Sequence, residues 1–346
     1  MKNKEEFFDG YVDSISLRID FVDKNKRDLV YSELLNFIKT TKLVGLYHDK
    51  GKSTQFFKCT KLISSNTTIG DISKSGYPNP YSKITNYYVS INFYGLKRHI
   101  KDLDEKSELL LKNVMAFINK DKSLVPMISQ LDICMDMPYK INNTVIVPIN
   151  RKSRKKYHDL GKCDNVGNRI QMYKGTFYVE KFTRHDDKKW FAEKEKLLAE
   201  IRKRRNNVQK RAYLYDKRKQ LIDKSNYNLG YSLTRFEMKL QNRYFLNNKV
   251  SIEAFLRELK DYKVLYFEDL KQKDNFTKKY NKANSNKERT ELIEKASLFA
   301  ITIKTNLSNI DKFIRMIDTI TFSANGKFKI CKKENYIYGT SRFNKK

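Results

Sequence analysis

Acidic residues are in short supply in this 346-residue chain. It carries 40 Asp and Glu against 71 Lys and Arg, a formal net charge of +31. A/T-biased coding inflates lysine but does not suppress aspartate and glutamate to match. The excess therefore reads as an electrostatic footprint for a polyanion, most simply nucleic acid. Cysteine is scarce too. Cys59, Cys134, Cys163 and Cys331 are far apart and form no C-x-x-C pair. That argues against a disulfide framework or a zinc site and points to a reducing cytoplasm. The four histidines (His48, His99, His158, His185) form neither His-x-His nor H-E-x-x-H, so a metal held by histidine is not expected. There is no Walker A loop and no G-x-G-x-x-G, which excludes the usual ATP-motor and dinucleotide signatures. No apolar run is long enough to span a bilayer, and the opening MKNKEEFFDG has no signal-peptide h-region, so no membrane partner is expected.

What is present is a set of short alternating runs separated by helical patterns. Tyr11–Phe21 places Ile15, Leu17, Ile19 and Phe21 on one face, as a half-buried strand does. Asp28–Thr40 has helical spacing. Leu43–His48 and Thr54–Ile63 read as strands around a turn at Asp49–Gly51. Ser64–Ser82, rich in Ser, Thr, Gly and Pro, reads as a loop. Asn86–Tyr94 is a strand and Leu103–Asn119 an amphipathic helix. Met127–Met137 alternates again, with Leu131, Ile133, Met135 and Met137 opposite Gln130, Asp132, Cys134 and Asp136. A strand over Asn143–Ile149, a hairpin over Asn168–Phe182 and a charged helix over Asp186–Val208 follow. Helices are expected over Ser251–Tyr262, Asn286–Thr305 and Asn309–Thr319, and a closing hairpin over Gly326–Gly339.

The fold class expected is α+β: a mostly antiparallel sheet with an open polar catalytic face, helices behind it, and a mainly helical C-terminal region. The domain reading is 1–245 catalytic and 246–346 DNA-binding, a helical region with a winged-helix pattern.

Two strands carry the chemistry. Lys210–Asp216 (KRAYLYD) puts Tyr213 and Tyr215 on one face, and period-two geometry does not choose between them. Ser232–Leu240 (SLTRFEMKL) puts Phe236, Met238 and Leu240 on one face and Arg235, Glu237 and Lys239 on the other. The connection contains the turn formers Asn226, Asn228 and Gly230. A phenol near a carboxylate flanked by cations is what phosphoryl transfer from DNA to protein needs. Asp132 and Asp136 read either as hard oxygen ligands for Mg²⁺ or Mn²⁺ or as partners of Arg235 or Lys239. Bringing Met127–Met137, Lys210–Asp216 and Ser232–Leu240 side by side would assemble these groups. Basic residues concentrate upstream: Arg151, Lys152, Arg154, Lys155 and Lys156 in a loop, then Arg202, Lys203, Arg204, Arg205 and Arg211, which read as DNA contacts.

The acidic run SQLDICMD, the run AYLYDKRKQ and the strand LTRFEMKLQN, in that order, resemble the trans-acting Rep family. These are the replication initiators of staphylococcal-type rolling-circle plasmids and related filamentous-phage initiators. The likeness covers roughly 128–242. It implies a DNA-nicking and joining enzyme without His-x-His. By position, Tyr215 would be the nucleophile, Asp216, Asp132 and Glu237 the acids that hold Mg²⁺ or Mn²⁺, and Lys217 and Arg235 the catalytic phosphate contacts. The partners implied are an origin duplex and its single-stranded loop, with a host helicase and polymerase, and a homodimer is compatible with them. The alternative carried alongside is a DNA-binding initiator or regulator that cuts nothing.

Overall fold

The computed structural model describes residues 4–51, 53, 57–78, 85–121, 123–124, 126–148, 170–172, 210–240, 262–313, 322–323 and 327–328. Its elements in chain order are β1 (Glu5–Phe21), α1 (Lys24–Thr41), β2 (Gly45–His48), β3 (Phe57–Ser64), β4 (Thr67–Pro78), β5 (Thr85–Phe93), α2 (Lys101–Lys120), β6 (Pro126–Met137), β7 (Thr144–Pro148), β8 (Ile170–Met172), β9 (Lys210–Asp216), α3 (Lys217–Ser225), β10 (Thr234–Leu240), β11 (Tyr262–Tyr266), α4 (Leu270–Lys282), α5 (Asn286–Ala296), β12 (Ile301–Asn306), β13 (Phe322–Ser323) and β14 (Lys327–Phe328). The chain is α+β, and its strands pair mostly antiparallel. It divides into two compact units, and β1 and β6 contribute residues to both.

One unit contains 12–132. Its strands run β2-β3-β4-β5-β1-β6. The β1–β5 register sets Leu17 against Ile91 and Ile19 against Val89, and Ile91 lies beside Ile72 of β4. All five are buried. Burying each such side chain contributes roughly 1.5–3 kcal/mol, which is why this alternation was so legible. The helices cover this face. α1 buries Val30, Leu34 and Ile38, and α2 buries Leu110, Leu111, Val114 and Ile118. Phe37 stacks on Phe117 at 5.0 Å between ring centres. Asp23 caps α1, accepting from the backbone N–H groups of Asn25 and Lys26, and so satisfies donors that no helical carbonyl reaches. The opposite face of this sheet is polar: Ser16, Arg18 and Asp20 of β1 pair with Asn92, Ser90 and Tyr88 of β5.

The other unit contains 1–11, 133–244 and 253–310. Within it the end of β6, then β10, β9 and β8 lie side by side. The start of β1 pairs with β12 in parallel, Glu5 opposite Thr302, and β12 and β7 flank β11 antiparallel. Val145, Ile146, Val147, Val264, Leu265 and Ile303 are buried there.

Three stretches differ from their sequence reading. The expected loop over Ser64–Ser82 is largely strand β4, entered by a two-residue turn at Ser65 and Asn66, with φ of 47° and 60°. Two positive-φ residues match the twist of a hairpin. Serine and glycine misled the reading. Asp71, Ser73 and Ser75 point to the polar face, and a side chain on Gly70 would strike the carbonyl of Asn92 on β5. The turn-rich connection after Asp216 begins with a helix, α3. The long helix expected over Asn286–Thr305 stops at Ala296, and the β-branched run ITIKTN becomes β12. The readings over Asn168–Phe182, Asp186–Val208, Ser251–Tyr262, Asn309–Thr319 and Gly326–Gly339 lie wholly or largely outside the described residues.

Candidate functional site

β9 and β10 are antiparallel, with Tyr215 opposite Arg235, Tyr213 opposite Glu237 and Leu214 opposite Phe236. Leu214 and Phe236 are buried and anchor one face. Tyr215, Arg235 and Glu237 share the other. Tyr215 donates its hydroxyl hydrogen to Glu237 Oε2 at 2.7 Å. This is a diagonal cross-strand contact, within reach of a long aromatic side chain. Tyr215 is only 4% exposed, whereas Glu237 is half-buried.

Arg235 is 0% exposed. Its Nε and Nη2 donate to Asp136 Oδ1 and Oδ2, both at 2.6 Å. The fork-to-carboxylate geometry clamps β10 to the end of β6. A pair with a wholly buried guanidinium is costly to break, because removing the carboxylate strands a buried charge. Beside it, Thr234 Oγ1 donates to the carbonyl of Tyr139 at 2.7 Å. Of the two readings open for Asp136, pairing with Arg235 is the arrangement observed. Arg235 therefore serves β6–β10 geometry.

The residues after Tyr215 are occupied by helix formation. Asp216 is the N-cap of α3, and its Oδ1 accepts from the Lys219 N–H at 2.9 Å. Lys217, buried, donates from its backbone N–H to the carbonyl of Leu233 at 2.8 Å and from Nζ to Gln220 Oε1 at 3.0 Å. α3 ends at Asn226 in the left-handed conformation, φ 50°, and Asn228 Oδ1 accepts from Gly230 N–H and from Arg218 Nε, each at 3.0 Å. The turn residues singled out in the sequence thus do their work at the far end of a helix.

Asp132 belongs to the unit containing 12–132. It is 2% exposed, and Gln130 Nε2 donates to its Oδ2 at 3.4 Å. Among the described residues no three His, Cys, Asp or Glu side chains group as a metal site requires. Of the acids implied by the resemblance, Asp216 caps a helix and Glu237 accepts a hydrogen bond from Tyr215. Of the DNA contacts read from the sequence, 151–156 and 202–205 lie outside the described residues, and Arg211 is described only as part of strand β9.

Two tyrosine–carboxylate contacts had no signal in the sequence. Tyr94 donates to Asp71 Oδ2 at 2.7 Å, and Asn92 Nδ2 donates to Asp71 Oδ1 at 2.6 Å. Burial, then the charge of Asp71, pushes the Tyr94 phenol far above its ordinary value. Tyr139 donates to Glu6, across 133 residues of sequence, and is pushed up by burial and by that bond. Its ring stacks on Tyr266 at 4.0 Å. Such pairs depend on register between distant strands, which composition does not report.

No protein-family model and no curated protein matches this sequence. Among solved structures there is a distant structural neighbour, the rolling circle replication initiator protein from Geobacillus stearothermophilus. The match has 9% identity and a TM-score of 0.35, covering 85% of this chain and 98% of that one. A likeness at that level falls short of a shared fold. No helix among the described residues is long and apolar enough to cross a membrane.

Proposed function

We propose that the protein is a DNA strand-transfer enzyme that starts rolling-circle replication by nicking one strand of a plasmid or phage origin. The observation that carries the reading is the 2.7 Å bond from Tyr215 to Glu237. A nucleophile and a base are already within proton-transfer reach on two paired strands. The motifs SQLDICMD, AYLYDKRKQ and LTRFEMKLQN and the net charge of +31 support a DNA substrate.

In the proposed step Glu237 takes the phenolic proton as Tyr215 Oη attacks a backbone phosphorus. The P–O3′ bond breaks, the 3′ oxygen takes a proton from solvent, and the 5′ phosphate stays on Tyr215. One phosphodiester is exchanged for another, so no nucleotide is consumed. A polymerase would extend the freed 3′ hydroxyl, with a helicase unwinding ahead of it. In the closing step a 3′ hydroxyl attacks the phosphotyrosine and the proton returns to Tyr215. An unperturbed phenol titrates near pH ~10, so the base matters at neutral pH.

A second reading has an observation of its own. Arg235 is wholly buried on Asp136 and the Tyr215 ring is nearly so, as residues that only hold a sheet together would be. On that reading the protein binds its origin and cuts nothing. One assay separates the two. Single-stranded oligonucleotides tiling the replicon are incubated with the full chain and Mg²⁺, Mn²⁺ or EDTA, then run on a denaturing gel. Wild type, Tyr213→Phe and Tyr215→Phe are compared. A covalent adduct lost only in Tyr215→Phe is the expected result. Loss only in Tyr213→Phe moves the nucleophile. Duplex binding with neither cleavage nor adduct selects the non-catalytic reading, and the EDTA lane reads the divalent-cation requirement.

A further inference from the structure

α4 (LKQKDNFTKKYNK) has two unlike faces. Phe276 and Tyr280, one turn apart, are buried, with Phe276 against Phe267 at 5.4 Å between ring centres. On the opposite face Lys271, Asn275, Lys278 and Lys282 follow at steps of four, three and four, and all four are exposed. That spacing lines them up along one side of a helix. At about 1.5 Å per residue the line runs roughly 16 Å. The helix's one acid, Asp274, is already met by its neighbour Lys273 at 3.0 Å. Among the described residues no ion pair is recorded for Lys271, Lys278 or Lys282. The exposed side of α2 differs: it mixes both signs, and Lys112 pairs with Glu108 at 2.7 Å.

We infer that this face of α4 is a contact surface for the phosphate backbone of duplex DNA. The inference rests on DNA being the partner, as proposed above. A row of ammonium groups with an amide between them suits phosphate oxygens and reads no base. Single-strand binding uses aromatic platforms for base stacking. The exposed side of α4 has none, since its Phe and Tyr face inward. The row therefore fits the duplex outside the melted loop, where it would hold register on the origin.

The test is duplex binding by the full chain between ~50 and ~200 mM salt. The probes are a duplex carrying the origin and a single-stranded oligonucleotide of the same length. The variant Lys271→Gln/Lys278→Gln/Lys282→Gln is compared with Lys101→Gln/Lys112→Gln/Lys120→Gln on α2, which removes the same charge from exposed positions elsewhere. Each lost phosphate contact lowers the log–log salt slope by about 0.9. The α4 variant should lose ~2–3 from the duplex slope and on the order of 10²-fold in affinity near ~0.1 M salt. The α2 variant should match wild type. Circular dichroism and melting establish that both variants are folded. An unchanged duplex slope in a folded α4 variant overturns the inference, as does an equal loss in the α2 variant, which would mean bulk charge. An equal loss on the single strand overturns the duplex assignment. If wild type binds no DNA at all, the proposed function fails with it, whereas wild-type binding with an unaltered slope sinks only the α4 surface.

Discussion

Two tyrosine–carboxylate bonds of the same length serve opposite ends. At Tyr94 the carboxylate is the buried member. Asp71 is 5% exposed and has both oxygens taken, one by Tyr94 and one by Asn92. Burial and the charge of Asp71 hold the phenol neutral. At Tyr215 the ring is the buried member and the carboxylate is half-exposed, with one oxygen on the phenol. Glu237 is partly open to solvent. The bond length alone therefore does not separate the two pairs; the burial of the carboxylate does.

Substitutions can break this contrast, the largest effect first. Tyr215→Phe should abolish adduct formation, a loss of at least ~10³-fold, while Tyr94→Phe leaves it unchanged. Adduct yield on a denaturing gel reads both, and equal losses would dissolve the distinction. Asp136→Ala should cost about 3–5 kcal/mol by stranding the buried Arg235 charge, measured by urea unfolding. A cost below ~1 kcal/mol would mean the clamp is not what aligns β10. Glu237→Gln should slow single-turnover nicking by about 10²-fold, since an amide cannot accept the proton. A rate equal to the wild type's would remove Glu237 from the reaction.

The smallest effect concerns pH and stability. Tyr94 stays protonated in the folded chain, while in the unfolded chain it ionises near pH ~10. Above that pH the unfolded state holds fewer protons, so stability falls as pH rises, by about 1.4 kcal/mol per pH unit for one such group. Tyr94→Phe should flatten the alkaline decline by that much, at a cost of about 1–2 kcal/mol at neutral pH for the lost bond. Tyr139→Phe should act in the same direction, since Tyr139 is also pushed up. An unaltered slope in chemical denaturation between pH 9 and 11 would contradict the assignment.

Much of the fold was readable because it is local. β9 matches its sequence reading residue for residue, and α1, α2, β5, β6 and β10 match within a few residues, since period-two and helical patterns are written in neighbouring side chains. β4 was not readable, because its polar residues serve a sheet face and its glycine a close strand approach. The adjacency of β6, β10 and β9 was not written in the sequence and was inferable only from the groups it would assemble; the structure has it.

By itself, then, the sequence determined most of the element types, the basic excess, the pair Tyr213 and Tyr215 on one face of one strand, and Arg235 and Glu237 on one face of another. It left Asp136 open between metal ligand and ion-pair partner, and it placed Asp216 beside Tyr215. Only tertiary structure decided these. The register between β9 and β10 sets the Tyr215 hydroxyl on Glu237, the neighbouring β6 gives Arg235 to Asp136, and the turn into α3 spends Asp216 on a helix cap. The physical reason is range. Periodicity is fixed by adjacent residues, whereas a hydrogen bond across strands depends on how far each strand slides past its neighbour.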